Sequence, residues 1–291
     1  MNTNYKYRMG WKPDLPDHRD YTIEHPTINP ILTKMGISGS ISPKPLPASV
    51  DLRKWCSPIY DQGNLGSCTA NAGAGLLEYF EHKAFGNYIS GSRLFLYKTT
   101  RNLAEEKGDT GAEIRTTMGA MVTLGICPEK YLPYDIDKFD EEPSSLCYAL
   151  AENYKAVKYV RLDSQNITNT TLLNNIKTNI AASIPSIFGF TVYSSIQQAN
   201  DTGKIPYPDS KENIEGGHAI VAVGYDDNLV ITNGNNNQST IGALIIRNSW
   251  GTSWGEKGYG YLPYQYVLQE LAIDWWTLLS ADWIDTGQFG I

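Results

Sequence analysis

A glycine-containing loop that leads directly into a helix is the feature that most constrains this chain. Residues 61–71 read Asp-Gln-Gly-Asn-Leu-Gly-Ser-Cys-Thr-Ala-Asn. Gly63 and Gly66 permit a tight loop whose backbone approaches a bound group closely. Ser67 is a favoured N-cap residue and small side chains follow it, so the pattern predicts a closely packed helix beginning at Cys68. A cysteine there lies at the positive end of the helix dipole, which favours the thiolate.

The chain also offers the partners that a cysteine nucleophile needs. A lone cysteine is more often a small buried hydrophobe, whereas a nucleophile requires a base and a group that orients the base. His218 begins a predicted apolar strand and Asn248 ends another, although either alone is more often a core or turn residue. Gln62 lies six residues before Cys68, where its amide can reach the space beside the sulfur. These four side chains form the candidate catalytic set.

The local sequences around these side chains resemble the papain family of cysteine peptidases, in a short-prosegment form of bacterial or viral type. The order of cysteine, histidine and asparagine is that of the family, and the resemblance covers about residues 47–280. The matching blocks are Gln62-Gly63-x-x-Gly66-Ser67-Cys68, Gly217-His218-Ala219 with Val223-Gly224-Tyr225, and Asn248-Ser249-Trp250-Gly251-Thr252-x-Trp254-Gly255-x-x-Gly258-Tyr259-Gly260. Together the three blocks identify the family far more specifically than any one of them.

The roles of the candidate residues follow from that resemblance. It implies that Cys68 attacks the peptide carbonyl as a thiolate, and that His218 pairs with it and protonates the leaving amine. Asn248 then orients the imidazole, while Gln62 and the Cys68 backbone N–H stabilise the oxyanion. Trp250 is expected to cover the bond between His218 and Asn248. The residues expected to line the substrate cleft are Thr110, Gly111, Gly217 and Trp250.

The chain departs from the family pattern near the nucleophile. Leu65 replaces the cysteine that relatives hold in a disulfide three residues before the nucleophile, and Thr69 replaces an aromatic residue. With Cys68 set aside, three cysteines remain, which allows at most one disulfide. The missing disulfide framework suits a reducing compartment or a bacterial or viral lineage. Gly217 replaces a polar residue, which widens part of the expected cleft.

Residues 1–46 differ from the rest of the chain and carry two alternative interpretations. They are rich in proline, and residues that precede proline avoid helical geometry, so this stretch is predicted to be extended. One interpretation is a disordered tail. The other is a short inhibitory prosegment that lies in the cleft, because residues 46–53 resemble the start of the mature enzyme. Trp11 and Tyr21 supply aromatic anchors for such a segment.

The sequence as a whole predicts an α+β protein. Residues 47–153 are predicted to form a mainly helical subdomain that carries the nucleophile, and residues 154–291 a β-rich subdomain that carries His218 and Asn248. The resemblance implies a papain-like fold, with a helical half, a β-barrel-like half and the cleft between them. Predicted helices cover residues 92–100, 112–124 and 172–180, and predicted strands cover residues 154–162, 184–192, 218–225, 243–247 and 258–261.

Composition and missing motifs argue against several classes of function. The net charge is −7 with no basic run, so nucleic acid and anionic membranes are not expected partners. No apolar stretch approaches the roughly 20 residues of a membrane-spanning helix. The sequence contains no His-Glu-x-x-His, no Gly-x-Ser-x-Gly elbow and no phosphate loop, so neither a metal nor a cofactor is expected. The N-terminus lacks a Sec-type signal peptide, which predicts a cytoplasmic protein or one exported by another route.

Three functions remain open on the sequence alone. The first is a papain-type endopeptidase that acts as a monomer on peptide or protein substrates and is held as a zymogen by its own N-terminal segment. The second is an exopeptidase or isopeptidase on the same fold. The third is a non-catalytic binding protein whose cleft is permanently filled. The complete set of catalytic candidates favours an enzyme over the third function.

Overall fold

Helices dominate the first half of the described chain and strands the second, which confirms the predicted α+β class. The computed structural model describes residues 7–34, 45–156 and 158–279. Parts of the predicted N-terminal extension (1–6 and 35–44) and of the predicted β-rich part (157 and 280–291) lie outside these residues. The helices are α1 Asn29–Lys34, α2 Cys68–Phe85, α3 Arg93–Leu103, α4 Ile114–Thr123, α5 Ser145–Ala151, α6 Asn169–Ala181 and α7 Gln265–Leu268. The strands are β1 Ser49–Asp51, β2 Tyr159–Arg161, β3 Ser186–Tyr193, β4 Ile214–Thr232, β5 Ser239–Arg247, β6 Tyr259–Pro263 and β7 Ala272–Leu278.

Helix α2 organises the helical half and begins where the sequence predicts, at Cys68. Its residues 68–81 are all buried, since the helix packs against α3 and α4 and also against β3 and β4. Ser67 precedes the helix, but its hydroxyl does not cap it. That hydroxyl contacts the Tyr134 hydroxyl at 2.6 Å and accepts a hydrogen bond from Asn71 Nδ2 at 3.0 Å. The N-terminus of α2, and with it the cysteine, therefore lies at the junction of helices and sheet.

The other predicted helices are present with shifted ends. The helix predicted over residues 92–100 is α3, whose N-cap Ser92 accepts the Phe95 N–H at 3.1 Å. The helix predicted over residues 112–124 is α4. Of the four side chains expected on its inner face, Ile114, Met118 and Met121 are buried, whereas Val122 is only partly buried. The helix predicted over residues 172–180 is α6. Local capping and apolar spacing are therefore reliable guides in this half of the chain.

One antiparallel sheet carries the second half of the chain. Its strands follow the order β2-β7-β3-β4-β5-β6, and β1 pairs with β4. Register shifts between β4 and β5 bend the long strand β4. The expected barrel-like closure is wrong for the described residues, in which no pairing joins the edge strands β2 and β6. Edge strand β2 has only three residues, too few to complete a barrel with the tilt and stagger that closure requires.

Two strands differ from the sequence prediction. The strand predicted over residues 154–162 is reduced to β2, because the backbone just before it bonds to the helical half instead. Ile126 N–H donates to Tyr154 O at 3.1 Å, and Ala156 N–H donates to Met121 O at 3.1 Å. The sequence pattern does not predict β7, although this strand lies between β2 and β3 inside the sheet. As a result, the residues predicted from the sequence to lie near the cleft include none from β7.

Candidate active site

Cys68, the first residue of α2, is fully buried in this structure. Its sulfur accepts hydrogen bonds from the backbone N–H groups of Ala219 and Gly10, and from the first amides of α2. Burial outweighs these bonds and raises the pKa of the Cys68 thiol to about 11. The helix N-terminus favours a thiolate, but this effect does not offset the burial of the sulfur. The thiol is therefore neutral at pH 7 in this structure.

The register of the sheet brings His218 and Asn248 together. Because β4 and β5 are paired neighbours, a histidine within β4 and an asparagine directly after β5 lie side by side. His218 Nε2 and Asn248 Oδ1 are 2.8 Å apart. The Ser249 backbone N–H donates to the same Oδ1 at 2.8 Å, so this oxygen is an acceptor and the hydrogen belongs to Nε2. His218 Nδ1 is then the basic nitrogen of the neutral ring, and it is buried without a hydrogen-bond partner.

Two stacked aromatic rings cover one face of the His218 imidazole. Trp250 stacks on His218 with ring centroids 4.6 Å apart and 21° between the planes. Tyr7 stacks on Trp250 in turn, with centroids 5.2 Å apart, and its hydroxyl donates to Trp250 O at 2.7 Å. Burial lowers the pKa of His218 to about 4, against the opposing bond to Asn248. The closed site therefore holds a neutral thiol and a neutral imidazole rather than an ion pair.

Gln62 is fully buried and its amide is fixed at both ends. The Ser249 hydroxyl donates to Gln62 Oε1 at 2.6 Å, which assigns the oxygen and leaves Nε2 as the donor. Nε2 donates to Leu65 O at 2.9 Å and to Arg8 O at 2.9 Å. The Gln62 side chain thus points its donor at a carbonyl oxygen, which is the geometry that stabilisation of an oxyanion requires.

Three of the four residues predicted to line the cleft contact residues 7–34 of the chain: Trp250, through Tyr7, and also Gly111 and Gly217. Gly111 has a left-handed φ of 75°, and a Cβ added there would lie 2.2 Å from Gly10 O. Gly217 O accepts the Trp11 backbone N–H at 3.2 Å. Thr110 is different, because its hydroxyl donates to the Glu106 carboxylate at 2.7 Å and its side chain is exposed. These contacts place Gly111 and Gly217 against an extended peptide.

Asp109 is a site residue that the sequence analysis misses. Its carboxylate accepts the Gly66 N–H at 3.0 Å and the Tyr97 hydroxyl at 2.5 Å. The Tyr97 oxygen in turn accepts the Gly111 N–H at 3.0 Å. The carboxylate therefore links the loop before the nucleophile to the loop at the cleft edge. The only local signal for this role is an aspartate immediately before the predicted cleft residues.

The N-terminal segment, here defined as residues 7–34, crosses the candidate catalytic residues. Around Trp11 it forms a parallel bridge with Ala112, in which Ala112 N–H donates to Gly10 O at 2.8 Å and Lys12 N–H donates to Ala112 O at 3.0 Å. Arg8 Nε pairs with the Asp109 carboxylate at 3.0 Å. The segment therefore contacts both the helical half and the sheet.

Further contacts hold the segment on both halves, through Arg115 of α4 and Arg161 of β2. Arg115 donates to both Asp20 carboxylate oxygens at 2.8 Å and to Leu15 O at 2.8 Å. Arg161, which is 1% exposed, donates to Asp14 O at 2.7 Å. These contacts favour the prosegment interpretation of this stretch over a disordered tail.

Other kinds of site were sought in the same residues. Within residues 7–34, 45–156 and 158–279, no group of three or more His, Cys, Asp or Glu side chains is arranged to hold a metal ion. Over that part of the chain, no helix has the length and apolar character needed to cross a bilayer. All four cysteines are free thiols, so the one disulfide that the sequence allows is not formed.

Comparison with known proteins defines the class of protein. A profile described as papain family cysteine protease matches residues 46–270. An uncharacterized peptidase C1-like protein of Acanthamoeba polyphaga mimivirus is 36% identical over 283 residues, which is 93% of this chain and 86% of the viral protein. The chain therefore belongs to the papain family of cysteine proteases and is a cysteine-type peptidase.

Solved structures confirm the predicted papain-like fold. Xylellain, a cysteine protease from Xylella fastidiosa, matches with a TM-score of 0.72 and 32% identity over 96% of this chain and 98% of the bacterial chain. The digestive procathepsin L 3 of the Tenebrio molitor larval midgut matches with a TM-score of 0.61 at 22% identity, covering 81% of this chain and 71% of that one, and so shares the fold. Cathepsin K of Gallus gallus is 31% identical over an aligned region that covers 73% of this chain and 58% of the cathepsin. The viral and bacterial relatives agree with the type that the sequence motifs indicate.

Proposed function

We propose that this peptidase cleaves internal peptide bonds, with Cys68 as the nucleophile and His218 as base and acid. The observation that carries the proposal is the 2.8 Å contact between His218 Nε2 and Asn248 Oδ1. Because this contact engages one ring nitrogen, the other, Nδ1, remains as the proton acceptor. Cys68 supplies the thiol from the N-terminus of α2, within reach of the N–H of Ala219, the next residue after the histidine.

The reaction follows from these positions once the cleft is open. His218 Nδ1 takes the thiol proton of Cys68, and the resulting thiolate attacks the carbonyl carbon of the peptide. The carbonyl oxygen becomes an oxyanion that accepts hydrogen bonds from Gln62 Nε2 and the Cys68 N–H. The imidazolium returns its proton to the nitrogen of the scissile bond, so the C–N bond breaks, the amine leaves and a thioester remains. Water, deprotonated by His218, then hydrolyses the thioester, releasing the acid and restoring the thiol.

The N-terminal segment restrains this reaction by occupying the reacting positions. Arg8 O accepts the Gln62 Nε2 hydrogen bond that the oxyanion needs. Gly10 N–H donates to the Cys68 sulfur. The burial that results keeps both members of the catalytic pair neutral, since the charged forms lose their hydration. A tethered segment needs only modest intrinsic affinity, because a short linker gives an effective concentration of the order of millimolar.

The same contacts explain why the segment resists cleavage while it is in place. Attack requires the sulfur to face a carbonyl carbon. In the closed site, the sulfur instead accepts the N–H of Gly10, whereas the carbonyl that meets the Gln62 donor belongs to Arg8, two residues earlier. The segment therefore places a carbonyl oxygen at the Gln62 donor and an N–H group at the Cys68 sulfur. These two groups belong to different peptide units.

The test is to label the full-length chain with an epoxysuccinyl thiol inhibitor, map the modified residue by mass spectrometry, and assay blocked and unblocked peptides. We expect modification at Cys68 alone, and cleavage within blocked peptides that Cys68→Ala abolishes without loss of folding. Cleavage only at free termini would assign an exopeptidase instead. Hydrolysis by Cys68→Ala near the wild-type rate would exclude the mechanism. An isopeptidase would cleave neither kind of peptide and would act only on peptides joined through a side-chain amide, which are assayed alongside.

A further inference from the structure

The side chain of Trp11 fills a pocket beside the catalytic residues. Trp11 is 7% exposed, and its indole Nε1 donates to Asp274 Oδ2 at 3.0 Å. Two glycines form the walls: a Cβ added at Gly189 would lie 1.9 Å from the ring, and one added at Gly217 would lie 2.8 Å from it. A flat ring fits here because neither wall carries a side chain.

The carboxylate at the end of this pocket is held without help from the segment. Asp274 lies in β7 and is fully buried. Its other oxygen, Oδ1, accepts the Trp276 indole N–H at 2.6 Å, and Arg161 NH2 lies 3.6 Å from it. When the segment leaves, Oδ2 loses this donor and faces the emptied pocket, which favours entry of another donor.

The pocket lies within reach of a substrate bound at the catalytic residues. Gly10, whose N–H contacts the Cys68 sulfur, is the direct neighbour of Trp11. Trp11 N–H donates to Gly217 O, and Gly217 directly precedes His218. A peptide whose scissile bond lies at the sulfur thus places a nearby side chain at the mouth of this pocket.

We propose that this pocket, which we call the Trp11 pocket, selects tryptophan in the substrate at one position close to the scissile bond. The inference rests on the proposed function and names its substrate class. Trp11 acts as the chain's own copy of the preferred side chain. Phenylalanine fits the slot but leaves Asp274 Oδ2 without a donor. A lysine or arginine would bring a second cation beside Arg161, which lies 3.6 Å from Asp274 Oδ1 and also pairs with Asp163 at 2.9 Å.

The test uses the full-length chain with Trp11→Ala, which empties the pocket, and with Tyr21→Ala as the control. Tyr21 is an aromatic residue of the same segment whose side chain is 43% exposed and lies outside the pocket. Blocked fluorogenic peptides carry one variable residue at each of three positions on either side of the cleaved bond. The variable residues are tryptophan, its isostere 3-benzothienylalanine, phenylalanine, leucine and arginine.

At one position we expect tryptophan to give a kcat/KM about 10-fold above 3-benzothienylalanine, since the isostere lacks only the N–H donor. Asp274→Asn should bring that ratio toward one, because an asparagine has a single oxygen for two indole donors. Asparagine tolerates the left-handed φ of 62° at this position, so the backbone is preserved. Gly217→Ala should reduce kcat/KM for tryptophan peptides more than for leucine peptides.

Equal kcat/KM for tryptophan, its isostere and phenylalanine at every position would overturn the inference while leaving the proposed function intact. A calorimetric titration measures peptide binding without hydrolysis, so it can support the Trp11 pocket even where the proposed peptidase mechanism fails. The Cys68→Ala, Trp11→Ala chain should bind a blocked tryptophan peptide more tightly than the phenylalanine peptide, and Asp274→Asn should abolish the difference. Equal binding overturns the Trp11 pocket, whereas selective binding without any hydrolysis by the Trp11→Ala chain overturns only the proposed peptidase mechanism.

Discussion

Gln62 Nε2 donates a hydrogen bond to the carbonyl oxygen of Arg8 at 2.9 Å. The donor proposed for the oxyanion is therefore already bonded to a carbonyl of the chain's own N-terminal segment. Gln62 would then serve two states, holding the segment in the closed site and stabilising the developing charge in the open one. Substitutions separate these roles, because loss of the donor should speed opening and slow the chemistry.

We expect Gln62→Ala to lower kcat about 10²–10³-fold with little change in KM, since an oxyanion donor acts mainly in the transition state. Steady-state kinetics in the full-length Trp11→Ala chain, whose site we expect to be open, measure this. Gln62→Glu is the companion variant, because it keeps an acceptor for Ser249 but replaces the amide donor with a carboxylate, and it should slow the chemistry at least as much. A change confined to KM would move Gln62 out of the oxyanion site.

Arg8 and Asp109 should give different results although they pair with each other. Arg8 is 54% exposed, and an exposed ion pair contributes at most about 1 kcal/mol, so Arg8→Ala should speed Cys68 labelling by no more than about 5-fold. It should leave kcat of the Trp11→Ala chain unchanged. Asp109→Ala also removes the acceptor of Gly66 N–H and should lower kcat about 10-fold. Identical kinetic effects of the two variants would contradict a separate role for Asp109.

Acidification should open the site. Burial lowers the pKa of His218 to about 4 in the closed state, whereas a solvated imidazole titrates near 6.5. A proton therefore binds the open state more tightly, and a fall from pH 7 to pH 5 shifts the equilibrium towards it by about 20-fold. The measurement is the Cys68 labelling rate of the wild-type chain, divided at each pH by that of the Trp11→Ala chain.

Carboxylates in and near the segment must be separated from this effect. The Lys12 partner lowers the pKa of Glu106, so that ion pair persists through the window. Burial raises the pKa of Asp274, which contacts Trp11, to about 7. Burial also raises the pKa of Asp14 in the segment, so the pH series is repeated in a chain that carries both Asp14→Asn and Asp274→Asn. A labelling ratio that stays flat or falls on acidification in both chains would contradict the role of His218.

Local patterns predict much of the fold and the candidate site. The start of α2 at Cys68 follows from a glycine loop and a run of small residues, both of which act within one turn of the chain. A predicted apolar strand begins at His218 and another ends at Asn248, which marks both residues in the sequence. The pairing of β4 with β5 then brings their side chains together. Each of these signals lies within a few residues of the position that it identifies.

The features that the sequence does not predict depend on distant contacts. Two residues with left-handed φ interrupt this region, Glu270 just before β7 and Asp274 within it, and the strand joins the sheet between strands far away in the chain. The role of Asp109 depends on Gly66, more than forty residues earlier. The neutral state of Cys68 and His218 arises from burial by parts of the chain far apart in sequence, which no local pattern encodes.

The most direct measurement of the central claim compares Cys68 labelling and peptide hydrolysis in full-length wild-type and Trp11→Ala chains, with the folded fraction of each measured by circular dichroism. Loss of a buried tryptophan should favour release of the segment, so we predict labelling about 100-fold faster in Trp11→Ala, with hydrolysis rising in proportion. Tyr21→Ala should match the wild-type chain in both. Equal labelling and hydrolysis rates in the wild-type and Trp11→Ala chains would contradict the claim that the segment restrains a competent active site.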